Sequence, residues 1–196
     1  MTPSALRRTL LTALVLAALA RPAAAVAWFW LPAHIEIGAG ASFKSPEPHF
    51  GDIVLRVQAS VFGLGAYSGI GFERLRVFPE GQAPGRLTGA YLELGIQLHP
   101  CDLIPVKGPK DSKDVTLFRY FDLYFTFGML IGGSSGDTRS EVRVAGTTGV
   151  GLTIPLLWEH KAPYLGVEYR YHFAERPLDA GGAHVMLFFL GYRYGT

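Results

Sequence analysis

Between Phe121 and Ile131 every second residue is large and apolar: Phe121, Leu123, Phe125, Phe127, Met129 and Ile131 alternate with Asp122, Tyr124, Thr126, Gly128 and Leu130. Successive side chains of a strand point to opposite faces, so this segment is a β-strand with one greasy face and one mostly polar face. Its length matches what a tilted strand needs to cross a bilayer. A soluble barrel would turn the greasy face inward, whereas a membrane barrel turns it to lipid and fills its lumen with polar groups.

Period-two stretches of this kind recur along the chain, and no 3.6-residue periodicity competes with them after the first residues. Eight are expected, at about 34–43, 52–63, 67–78, 86–99, 116–131, 140–154, 163–173 and 184–194. Turn-forming clusters separate most of them: Ser45-Pro46-Glu47-Pro48, Pro79-Glu80-Gly81, Pro84-Gly85, Gly132 to Gly136, and Ala180-Gly181-Gly182. An even number of antiparallel strands closes without leaving an edge. Phe72 to Val77 in the third stretch do not alternate cleanly, which predicts a bulge or a part that projects into water, and no inward face is assigned there.

The placement of charge selects the membrane form. Lys44, Lys107, Lys110, Lys113 and Lys161 all lie outside the stretches, and the in-strand polar residues are mainly Gly, Thr, Ser, Tyr and Gln. A sheet face bathed in water is normally richer in Lys and Glu. By parity, Glu36, Arg56, Glu93, Asp122, Arg143, Glu168, Arg170 and Arg193 fall opposite the apolar face. Acids and arginines enclosed in a narrow lumen must pair, because an isolated buried ion costs several kcal/mol. Arginine, with its planar fork of donors, suits that role better than lysine. These eight residues are therefore expected to form an internal ion-pair network that plugs the barrel. Trp28, Phe29, Trp30, Trp158, Tyr164, Tyr169, Tyr171, Tyr192 and Tyr194 are expected at the headgroup level, where an apolar ring and a polar tip both find partners.

Residues 1–27 read as a cleaved secretory signal peptide: Arg7 and Arg8, an apolar run from Leu10 to Ala20, then Ala23, Ala24 and Ala25, with cleavage after Ala25 or Ala27. Residues 28–196 then form one barrel domain. The formal charge of +2 includes three arginines of the leader, so the exported part is close to neutral and offers no basic field for nucleic acid. A lone cysteine, Cys101, excludes an intramolecular disulfide.

The closing stretch alternates Phe188, Leu190, Tyr192 and Tyr194 toward the chain end. Together with the leader and the strand count, it resembles the small eight-stranded outer-membrane barrels, the family of the outer membrane protein A transmembrane domain and the opacity proteins. That resemblance implies an all-β, antiparallel eight-stranded transmembrane barrel in the bacterial outer membrane. It also implies lipid as surroundings, the barrel-assembly machinery as a partner reading Phe188, Leu190, Tyr192 and Tyr194, a monomeric state and no cofactor. The family usually ends on an aromatic residue, whereas Gly195 and Thr196 follow here. With the N-terminus in the periplasm, the outer loops are short and the longest connection, Pro100 to Val115, lies on the inner side.

A structural or interaction role without enzyme activity follows, and eight strands leave an interior just wide enough for side chains. Two alternatives belong to other classes. The segment Tyr164 to Tyr194 is similar to the last hairpin of lipid A deacylases, whose His-x-Ser pair activates a serine; here the sequence reads His172-Phe173-Ala174, with no nucleophile. Glu168 and His172, at i and i+4 on one face, remain weak catalytic candidates. A soluble periplasmic barrel could instead bind a hydrophobic ligand in a lipocalin-like cavity. His34, His49, His99, His160 and His184 show no metal-ligand spacing and read as loop or rim residues, and Gly132 to Asp137 as a flexible hairpin loop.

Overall fold

The computed structural model describes residues 33–42, 49–77, 85–108, 115–136, 140–157, 162–173 and 183–194. The leader, Trp28, Phe29, Trp30, Trp158, His160, Ala174, Gly195 and Thr196 lie outside the described residues. Eight long strands form a closed barrel: β1 (Ala33–Ser42), β2 (His49–Val61), β3 (Leu64–Val77), β4 (Gly85–Leu98), β5 (Asp122–Gly136), β6 (Ser140–Pro155), β7 (Ala162–His172) and β8 (Ala183–Tyr194). Each strand pairs antiparallel with its sequence neighbours, and β8 closes on β1.

The register is unbroken around the wall. From His184 it passes through Tyr171, Thr148, Phe127, Ile96, Ala66, Ala59 and Ala33, and returns to β8 at Tyr194, ten residues from its start. For eight strands, a stagger of that size gives a tilt of about 40° and a backbone radius of about 8 Å. Long side chains from opposite walls therefore meet at the axis.

The alternation resolves as apolar outward and polar inward. Ile37, Ile53, Leu55, Phe72, Ile96, Phe127, Val144, Leu165, Phe188 and Leu190 are exposed, Phe127 at 47% and Phe188 at 63%. Arg56, Glu93 and Glu168, by contrast, are 0% exposed. A water-soluble barrel requires the opposite arrangement. Tyr192 and Tyr194 lie side by side on the outer wall at the end where β1 begins and β8 ends, with ring centroids 4.8 Å apart and the rings tilted at 59°. Higher on the outer wall, Tyr169 and Tyr171 flank His184, and the Tyr169 hydroxyl is 2.7 Å from His184 Nδ1. Tyr164 departs from the expected headgroup position, for it lies fully buried in the lumen.

Several expected boundaries are corrected. β2 and β3 meet in a two-residue turn at Phe62 and Gly63, with φ of 50° and 78°, so β3 begins at Leu64 and not 67. Positive φ at both positions gives a turn whose twist matches the flanking strands. β3 carries no bulge: its register with β2 and β4 is continuous, with Tyr67 and Glu73 inward and Phe72 and Arg74 outward. β5 starts at Asp122, later than the expected 116, and continues through Gly132 to Gly136, which are strand and not hairpin loop. Tyr91 explains those glycines in part, because a Cβ at Gly132 would collide with its side chain.

The connection from β4 to β5 is organised. Short 3-10 turns at Pro100–Leu103 and Leu117–Arg119 flank a two-residue pairing of Pro105–Val106 with Val115–Thr116. It is tied to the β2–β3 turn, since the His99 N–H donates to the Gly63 carbonyl (2.7 Å) and the Gly63 N–H to Asp102 Oδ2 (2.8 Å).

Candidate functional site

Inward positions of β1, β2, β4 and β7 converge on one charged cluster at mid-barrel. Arg56 donates through Nε to Glu93 Oε1 (2.5 Å) and through Nη1 to Glu36 Oε1 and Glu168 Oε2, both at 2.9 Å. Arg170 reaches Glu93 Oε2 through Nη1 (2.7 Å) and Glu168 Oε1 through Nε (2.8 Å) and Nη2 (2.6 Å). Tyr164 donates its hydroxyl to Glu36 Oε2 (2.7 Å) and Tyr124 to Glu168 Oε2 (3.0 Å). Every oxygen of Glu36, Glu93 and Glu168 thus accepts at least one hydrogen bond. The Arg56 guanidinium also lies between two rings, 4.9 Å from the centroid of Tyr67 and 4.6 Å from that of Phe189. Such a cluster is rigid because each member fixes the others.

Of the eight charged residues expected inside, five (Glu36, Arg56, Glu93, Glu168 and Arg170) are joined in this cluster. Asp122 and Arg193 are buried too, but at the mouth near the termini. Asp122 Oδ2 lies 2.7 Å from His99 Nδ1, and Arg193 Nη1 donates to the Phe118 carbonyl (2.9 Å) while its guanidinium sits 4.0 Å from the Phe118 ring centroid. The side chain of Arg143 lies outside the described residues.

Phe118 comes from the connection between β4 and β5, and it also approaches the rings of His34 and His99, at centroid distances of 5.8 and 5.9 Å. The connection therefore caps this mouth of the barrel. His34 and His99, expected on loops or the rim, are buried here, with Gln58 Nε2 2.9 Å from His34 Nδ1 and Gln97 Oε1 3.2 Å from His99 Nε2. Towards the other end Val54, Leu87, Ala183, Val185 and Leu187 pack together with Phe189 as an apolar cluster, and Asp52, Glu73 and His172 are buried beyond the charged cluster at that end.

The residues missed by sequence reasoning are mainly Tyr67, Tyr124, Tyr164 and Gln58. A signal for them existed. Tyr67 stands across from Gly95, Tyr124 from Gly151 and Tyr164 from Gly191, and at each of these glycines a Cβ would collide with the facing ring. A tyrosine set opposite a glycine on the neighbouring strand marks a ring laid over the wall inside a crowded lumen.

The catalytic candidates fare differently. Glu168 and His172 both face inward and are buried, but the oxygens of Glu168 are engaged by Arg56, Arg170 and Tyr124. Phe188, Leu190, Tyr192 and Tyr194 form the outward row of β8, the strand that closes the barrel. Among the described residues, no group of three His, Cys, Asp or Glu side chains could hold a metal ion.

No family model matches the sequence, and comparison with curated proteins finds no match. Solved structures do match. Ail, the attachment invasion locus protein of Yersinia pestis, aligns over 84% of this chain and 99% of its own at 16% identity, with a TM-score of 0.50. Neisserial surface protein A aligns over 85% of this chain and 97% of its own at 9% identity and a TM-score of 0.49. The N-terminal β-barrel domain of Pseudomonas aeruginosa OprF covers 84% and 98% at 10% identity and 0.47. At these identities the likeness is one of fold: this chain is an all-β, closed antiparallel eight-stranded barrel similar to small outer-membrane barrels.

Proposed function

We propose that the protein is a small β-barrel of the bacterial outer membrane with a plugged polar lumen, and that its role is structural or one of interaction, without enzyme activity. The observation that carries this reading is the pairing of an apolar outer wall with a buried cluster of Arg56, Arg170, Glu36, Glu93 and Glu168 across the barrel axis, in which every carboxylate oxygen accepts a hydrogen bond. Charges in that state hold the wall together and leave no path for ordinary solutes. The engagement of Glu168 by two arginines and a tyrosine favours a structural over a catalytic role for it. Phe188, Leu190, Tyr192 and Tyr194 serve as the signal that the barrel-assembly machinery reads, and the folded barrel stands in lipid as a monomer.

Two experiments test this. Gel migration before and after boiling in detergent should differ, because a closed barrel resists unfolding by detergent alone. In a planar bilayer the protein should carry no steady current. An open channel would refute the plug, and lipid A changed in mass by the protein would refute the noncatalytic reading.

A further inference from the structure

At the end of the barrel where β1 begins and β8 ends, the connections between strands hold large apolar side chains in the open. Phe62 is 87% exposed at the tip of the β2–β3 turn, and Leu103 and Ile104 are exposed in the connection from β4 to β5. The connection between β6 and β7, at the same end, repeats the pattern with Leu156 and Leu157. Phe62 is kept there against the preference of its backbone, because its φ of 50° is one that bulky residues rarely take and that glycine, asparagine and aspartate take readily. Nor is the tip loose. A Cβ on Gly63 would lie 3.0 Å from Leu103 Cγ, so Leu103 packs against the turn. The His99–Gly63 and Gly63–Asp102 hydrogen bonds brace the same two segments. A strained, exposed ring on a braced support breaks two rules of a turn in water at once, and such breaks mark a function.

The height of the outer wall says what covers this tip. On β3 the outward row is uncharged from Leu64 to Phe72, and Arg74, exposed on the same row, ends it on the far side. The eight residue steps from Leu64 to Phe72, in a strand tilted by about 40°, rise only about 21 Å along the barrel axis. That falls short of the apolar band of about 25 Å with which a barrel meets hydrocarbon. The remainder lies on the near side, where Val61 and Leu64, both exposed, flank the turn that carries Phe62 and is backed by Leu103. We propose that Phe62, Leu103 and Ile104 form a lipid-binding foot, which enters the phospholipid leaflet on the side where β1 begins and β8 ends and sets how deep this sector of the barrel sits. This rests on the membrane reading above.

The test places one nitroxide at a time at positions 61, 62, 103, 104 and 107, with Cys101 replaced by serine, in protein folded into vesicles of phosphatidylethanolamine and phosphatidylglycerol. Collisions with oxygen, which concentrates in the bilayer, are compared with collisions with a water-soluble nickel chelate. Oxygen should dominate at 62, 103 and 104 as it does at 61, and the chelate at 107, because Lys107 is exposed farther along the same segment. Serine at all three positions (F62S/L103S/I104S) should raise chelate collisions at 61 towards those at 107, with the heat-dependent gel shift intact. If that variant does not fold, F62S alone should move position 61 in the same direction. Dominance of the chelate at 62, 103 and 104, or an unchanged position 61 in the variants, would overturn the proposal by putting the foot in water. Shielding from both reagents would overturn it as well, by showing cover from protein; dipolar broadening between labels would then identify that protein as a second copy. Failure of the membrane reading shows separately, as a protein that stays monodisperse in buffer without detergent.

Discussion

Replacing Arg56 by methionine removes the hub of the lumen while keeping most of its length. In the wild type this guanidinium is the sole arginine bound to Glu36 and one of two bound to Glu93 and Glu168. After R56M, Arg170 still holds Glu93 and Glu168, but Glu36 keeps only the Tyr164 hydroxyl (2.7 Å) and a long contact from Gln58 (3.5 Å). Breaking one buried ion pair typically costs about 3–5 kcal/mol. Relief by protonation gives a similar figure: neutralising an ordinary glutamate at pH 7.5 costs about 4 kcal/mol. R56M should therefore destabilise the barrel by about 4 kcal/mol, read as a lower urea midpoint in lipid vesicles with the folded gel band as probe. The double variant R56M/E36Q should recover at least half of that, because the stranded carboxylate is gone. A loss for R56M of less than about 1 kcal/mol, with no recovery in the double variant, would mean that the cluster is hydrated and contributes little, against the satisfied geometry described above.

Three other perturbations probe different parts of the wall. Gly191→Ala places a methyl group on the Tyr164 ring and should lower stability by about 1–3 kcal/mol, whereas the same change at Gly51, where a Cβ meets nothing within 4 Å, should be nearly silent. Phe127→Arg puts a charge on the outer wall near mid-barrel and should cost about 2–4 kcal/mol in unfolding from lipid vesicles; an unchanged midpoint would place Phe127 away from the acyl chains. Phe118→Ala should make the buried Cys101 thiol react faster with a water-soluble maleimide without abolishing the heat-dependent gel shift, because Phe118 seats the segment that covers this mouth. Unchanged reactivity would show that the cap is held elsewhere.

How far the sequence disclosed this arrangement depends on which face of a strand carried information. β5 was legible from Asp122 to Ile131 because large apolar side chains alternate there with mostly polar ones, and the same parity set Glu36, Arg56, Glu93, Glu168 and Arg170 on the inward side. β3 was not legible. From Gly65 to Gly71 its inward face is glycine with Tyr67 and its outward face includes Ala66 and Ser68, so neither side reads as greasy or charged there, and farther on charge falls on both faces, Glu73 inward and Arg74 outward. The glycines there give room to partners across the register, Gly69 to Glu93 and Gly71 to Tyr91, and that pairing exists only once the barrel is closed. The same cause hid the upper part of β5, where Gly132 to Gly136 have the composition of a loop. Tyr164 was misplaced because a phenol suits both a headgroup layer and a buried carboxylate, and sequence periodicity does not choose between them. His99 read as a rim residue beside Pro100, yet it is buried at the mouth against Phe118 and Asp122.

The central claim is that the greasy face of each strand looks outward at acyl chains. It is tested most directly by a nitroxide scan of Phe125, Thr126, Phe127, Gly128 and Met129, one cysteine at a time with Cys101 replaced by serine, in lipid vesicles. Collision with dissolved oxygen, which concentrates in the bilayer, should be high at 125, 127 and 129 and low at 126 and 128. Low oxygen exposure at the three odd positions, or a profile without alternation, would contradict the account.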